Sequence, residues 1–186
     1  MTRALAAGLL LVGACTQAPD PGSEPPDASP PGDACLVSSA SLSGLDPITM
    51  SAEESIVDGK TVYRFTADLD QAPARDVFLI QLRDGHGVFA ASPPAPGTFP
   101  LTGAETALDT CGACVNVIAD LRPMIGPSKI YMAASGTMTL RSLIGGTDGT
   151  LEGVTLRELD LQTLQPAVGG CTIDLPTTRF VTSVPP

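Results

Sequence analysis

Strict two-residue alternation of apolar and polar side chains, cut at short intervals by glycine and proline, most constrains what this chain can fold into. Thr61-Val-Tyr-Arg-Phe-Thr-Ala-Asp-Leu69 puts Tyr63, Phe65, Ala67 and Leu69 on one face and Arg64, Thr66 and Asp68 on the other. Successive side chains of a strand point to opposite faces, so this stretch reads as a half-buried strand. Val77-Phe-Leu-Ile-Gln-Leu82 is apolar on both parities and reads as a central strand covered on both sides. Further strands are expected at Cys114–Leu121, Lys129–Ala133, Gly136–Leu143, Thr150–Leu161 and Thr178–Ser183, with Thr98–Leu101 at most an edge strand, because Pro100 cannot donate to a ladder.

The breaks between these runs fit the same reading. Asp84-Gly85-His86-Gly87 tolerates positive φ and forms a turn, residues 90–97 with three prolines form a loop, and Gly145-Gly146-Thr147-Asp148-Gly149 closes a hairpin. In Thr150–Leu161 the apolar parity moves from Val154 and Leu156 to Leu159 and Leu161. A one-residue slip flips faces, so a bulge is expected near Arg157-Glu158. Beyond Cys15 no stretch keeps apolar residues at helical spacing for three turns. The fold class is therefore all-β: an antiparallel β-sandwich or flattened barrel of about nine or ten short strands over residues 35–186.

Five cysteines bear on this domain and its compartment. Cys35, Cys111, Cys114 and Cys171 make an even set, which in an exported chain implies two disulfides with three possible connectivities. The preferred set is Cys111–Cys114 with Cys35–Cys171; Cys111–Cys171 with Cys35–Cys114 is the nearest competitor. A Cys111–Cys114 bond needs a turn, since residues three apart in a strand are about 10 Å apart. Gly112 at positive φ is expected to supply it. The Cys-x-x-Cys spacing also invites a thiol-redox reading, but Cys114 opens an alternating run where that chemistry needs a helix start. A Cys₄ zinc site would need a second close pair.

The amino-terminal residues carry an address. Thr2-Arg3, an apolar run from Ala4 to Val12, then Gly13 and Ala14 have the order of a secretory signal, too short to span a bilayer. Val12-Gly13-Ala14-Cys15 resembles the bacterial lipoprotein signal. The resemblance implies cleavage that removes residues 1–14, acylation of Cys15 (palmitate among the chains) and attachment to a membrane through lipid. Thr16 stands where an Asp would mark inner-membrane retention, so by analogy the destination is the outer membrane of a cell envelope. Residues 16–34 hold six prolines and four acids with no large apolar side chain, so residues 15–34 are expected to be a disordered tether.

Composition narrows the function. The net charge is −10 and the ten basic residues are scattered, so no patch exists to neutralise phosphates and nucleic acid is excluded as a partner. There is no Trp, and only two Tyr and five Phe, which leaves few stacking platforms for bases or sugars. His86 is the only histidine and has no nucleophile motif beside it, so it reads as a turn residue. Asp68, Asp70, Asp84, Asp109, Asp120, Asp148, Glu158 and Asp160 follow no calcium-loop spacing. With no catalytic, metal or cofactor constellation, the expectation is a non-enzymatic envelope lipoprotein with a structural or interaction role and an envelope protein as partner. The alternatives are a ligand-binding module for a lipid, a sugar or calcium, and a disulfide oxidoreductase using Cys111 and Cys114.

Overall fold

The computed structural model describes residues 35–37, 42, 46–71 and 73–182. The expected signal peptide of residues 1–14, Cys15 and the expected tether to residue 34 lie outside the described residues. Those described belong to one compact unit, Asp33–Pro186, and form nine strands: β1 (Ile48–Val57), β2 (Lys60–Asp68), β3 (Arg75–Arg83), β4 (Gly97–Pro100), β5 (Ala113–Leu121), β6 (Lys129–Ser142), β7 (Asp148–Leu159), β8 (Thr172–Leu175) and β9 (Thr178–Thr182). Two short 3-10 turns, Gly87–Phe89 and Gly103–Thr106, sit in the loops around β4.

The fold is all-β and closes on itself. The ladder runs β6-β5-β3-β2-β1-β9-β7 and returns to β6, a seven-stranded barrel, with β4 and β8 paired onto the remaining edges of β6 and β7. It is a mixed barrel: β1 runs parallel to β9, with Ile48 opposite Phe180 and Met50 opposite Thr182. A closed ring of strictly alternating directions needs an even number of strands, so seven require a parallel pair somewhere. Here it joins the first strand to the last.

Alternation fills the interior. Phe65 from β2, Phe78, Ile80 and Leu82 from β3, Ala113, Val115 and Val117 from β5, Tyr131 and Met138 from β6, Leu151, Val154 and Leu156 from β7, and Phe180 from β9 make one buried cluster. A barrel of about eight strands is just wide enough for side chains to fill. Tyr131, Phe65, Phe78 and Phe180, all under 2% exposed, supply that bulk.

Four sequence expectations need correction. Lys129–Ala133 and Gly136–Leu143 are one fourteen-residue strand, β6, whose first half pairs with β5 and whose second half pairs with β4, while β7 pairs along its length. The slip in β7 is not near Arg157-Glu158, where pairing runs unbroken from Ile130–Leu159 to Ala133–Leu156. It lies around Gly153 (φ +58°) opposite Gly136 (φ +122°), where interior parity changes from Leu151 to Val154. Leu159 has outward parity because it joins a second, outer cluster with Cys111, Cys114 and Met132. β3 is not covered equally on both faces either: Phe78, Ile80 and Leu82 are fully enclosed, while Leu79 and Gln81 on the outside are half-buried. Two strands, β1 and β8, were not legible in the sequence. Beyond Met50 the inward positions of β1 are Ala52 and Glu54, so its alternation fades toward one end of the barrel, and β8 has four residues.

Candidate functional site

Three places hold side chains that could do more than fill the barrel: the stapled end, the Cys111–Cys114 turn and the opposite mouth. At the first, Cys35 is bonded to Cys171, with their Cα atoms 5.7 Å apart. The segment after Cys35 then enters the barrel: Val37 is fully buried, and the Leu36 N–H donates to the Tyr131 hydroxyl at 3.2 Å. Burial raises the Tyr131 pKa above its ordinary value, so the phenol stays protonated. Glu158 secures the other side, accepting from the Cys171 N–H at 2.9 Å and from the Lys129 ammonium at 3.3 Å.

Cys111 and Cys114 form the second disulfide, with Cα atoms 5.4 Å apart and neither residue exposed. Met132, Leu159 and Leu108 pack around them. Gly112 does not take the positive φ expected of it; its lack of a side chain serves a close approach instead, because a Cβ there would collide with the His86 carbonyl. The residue that organises this turn is Glu105, which sequence reasoning missed. Its side chain is 1% exposed, and its carboxylate accepts the backbone N–H groups of Val88 at 2.7 Å, Gly112 at 2.9 Å and Ala113 at 2.5 Å. Arg83 adds a bond from its guanidinium to the Leu108 carbonyl at 2.6 Å. A Glu flanked by Ala and Thr in a loop gives no sign that it will be buried. Thiol exchange needs an accessible sulfur and a stabilised thiolate; here both sulfurs are enclosed and Cys114 lies in a strand.

The other sequence candidates are dispersed. His86 is half-buried, its Nδ1 is 3.1 Å from the Asp84 carbonyl, and its own carbonyl faces Gly112. Asp68 pairs with Arg75, Asp84 with Lys60 and Glu158 with Lys129. Asp160 accepts the Gln162 and Thr163 N–H groups of its own loop, which lower its pKa. The Arg179 guanidinium binds both oxygens of Asp148 at 3.0 and 3.1 Å and, with Arg141, holds its carboxyl below the usual range. Among the described residues no three His, Cys, Asp or Glu side chains are grouped to hold a metal ion.

The third place is a cavity of about 340 Å³ at the mouth between the β1–β2 and β6–β7 hairpins. Phe65, Tyr63, Leu143 and Ile144 give it an apolar wall, and Glu54 stands at the rim. The β6–β7 turn is held in place: the Thr147 N–H donates to Thr182 Oγ1 at 2.7 Å, the Thr182 N–H returns to the Thr147 carbonyl at 2.9 Å, and Ser142 Oγ donates to the Gly146 carbonyl at 2.7 Å. The cavity is thus bounded by fixed backbone. Burial first, and the Glu54 charge second, raise the pKa of Tyr63, so its hydroxyl stays a donor. Comparison with protein-family models, with curated proteins and with solved structures finds no match to this chain.

Proposed function

We propose that the protein is a non-enzymatic, lipid-anchored protein of the cell envelope. Its barrel serves a structural or interaction role, and acyl chains on Cys15 hold it to the outer membrane. One observation carries the reading. Four of the five cysteines are consumed in pairs, Cys35–Cys171 and Cys111–Cys114, which leaves Cys15 without an intramolecular partner at the junction that resembles a lipoprotein signal. An unpaired cysteine in an oxidising compartment needs a fate, and acylation supplies one. Two or three acyl chains give firm attachment where one does not. The filled interior and the enclosed Cys111–Cys114 bond suit a scaffold better than a redox enzyme. Mass spectrometry of the mature amino terminus should show a lipid-modified cysteine, and Cys15→Ser should move the protein from the detergent phase to the aqueous phase. Unchanged partitioning of that variant would refute the anchor.

A second reading, a small-ligand-binding module, is favoured by the cavity at the mouth, since barrel mouths with an apolar lining and a few polar groups are common ligand sites.

A further inference from the structure

We infer that the mouth cavity is a binding site for a small aliphatic ammonium compound, its carbon chain against Leu143, Ile144 and Phe65 and its cationic head between Glu54 and Tyr63. The inference rests on the ligand-binding reading and not on the lipid anchor.

The cavity's size comes first. About 340 Å³ accommodates a chain of several carbons and is at the lower end of small-molecule sites. Charge decides the class. Among the described residues lining the cavity there is no Lys, Arg or His, while two carboxylates, Glu53 and Glu54, are present. Glu53 is engaged outside, 3.7 Å from the Arg64 guanidinium. Glu54 follows the inward parity of Ile48, Met50 and Ala52 and lies opposite Tyr63 in the β1–β2 ladder. Among the described residues it has no ion-pair or hydrogen-bond partner.

An anionic ligand would meet uncompensated repulsion here, and a neutral one would leave the Glu54 charge unused. A cation gains the carboxylate and, in addition, the negative face of the Tyr63 ring. The protonated Tyr63 hydroxyl adds a polar atom beside the head group. The net charge of −10 draws cations toward the molecule and raises their local concentration. The apolar requirement comes from Ile144, which is 89% exposed on a turn whose backbone is pinned on both sides. An aliphatic tail lying against it would remove that surface from water.

Calorimetric titration of the full chain with hexylammonium chloride, hexanol and sodium hexanoate tests the class. Hexylammonium should bind at least tenfold more tightly than hexanol, and hexanoate more weakly than either. Glu54→Gln, which keeps the shape and removes the charge, should bring hexylammonium down to the level of hexanol without changing hexanol itself. Glu53→Gln should leave the amine preference in place, and Ile144→Ser should weaken hexylammonium and hexanol by the same factor. Equal binding of hexanol and hexylammonium, or an unchanged preference in Glu54→Gln, would overturn the ammonium assignment while leaving a ligand cavity standing. No binding by any of the three would overturn both.

Discussion

The two ends of this barrel are built from the same strands and treated in opposite ways. At the end where β6 begins, the chain's own segment from Cys35 to Val37 fills the opening, bonded to Cys171 and held by the Tyr131 hydroxyl. At the other end, between the β1–β2 and β6–β7 hairpins, no such segment enters among the described residues, and Glu54, Tyr63 and Ile144 border a cavity. The far side of that same end is sealed by Glu105, whose carboxylate gathers three N–H groups from the Val88 turn and the start of β5. Closing a sheet into a barrel secures the walls, but each end still needs its own solution. Where a covalent bond or a buried charge provides it the opening is filled, and where only a turn borders it there is room for a ligand.

The largest effect is expected at the staple. Cys35→Ser with Cys171→Ser opens a loop with a sequence separation of 136. It should lower stability by about 5 kcal/mol on the chain-entropy model, read from the shift in denaturant midpoint. An unchanged midpoint would mean the two ends do not differ in the way described. Next comes Glu105→Ala, which strands three buried N–H donors and should cost roughly 3 kcal/mol. Glu105→Gln, which keeps an acceptor oxygen, should lose less. If the alanine variant matches wild type in thermal melting, the sealed side of the mouth is not sealed by Glu105.

Tyr131→Phe keeps the ring and removes the hydroxyl that accepts the Leu36 N–H, so about 1 kcal/mol is expected. Hydrogen exchange should show the loss concentrated at residues 36 and 37 and absent from the β6–β7 turn. Asp148, at the base of that turn, gives a pH test. Its folded pKa is depressed by Arg179 and Arg141, so its contribution is present at neutral pH and is lost as pH falls through the acidic range below about 4. Asp148→Asn should therefore lose stability at pH 7 relative to wild type, with the gap narrowing as pH falls below about 4, by a modest amount because the pair is partly exposed. The smallest effect is Ile144→Ser, within about 0.5 kcal/mol by chemical denaturation, because the side chain already faces water. A loss like that of the staple would show that the open mouth is structural.

How far the sequence could be read depended on whether a residue's role was local. The inward parity of Tyr63, Phe65 and Ala67 was legible because a strand's period is fixed by its own backbone, and the Asp84–Gly87 turn was legible because its residues tolerate positive φ. The displaced slip in β7 was not, because Leu159 looks like a core residue out of step until the outer cluster around Cys114 and Met132 is seen. Gly112 was singled out for the wrong property, since the carbonyl it must accommodate belongs to His86, remote in sequence. Glu105 and Glu54 gave no signal, as a lone acid reads as solvated wherever it falls.

By itself, then, the sequence determined the period-two strands, the turns between them, the acidic surface without a basic patch and the even set of cysteines in the domain, all set by local backbone preference and side-chain type. Tertiary structure alone decided that the sheet closes with β1 parallel to β9, that Glu105 is buried beneath three amides, and that Glu54 faces Tyr63 across an open mouth. Each of these joins residues distant in the chain, or fixes a side chain's surroundings through strands distant in the chain, and no local periodicity encodes which strand will become whose neighbour.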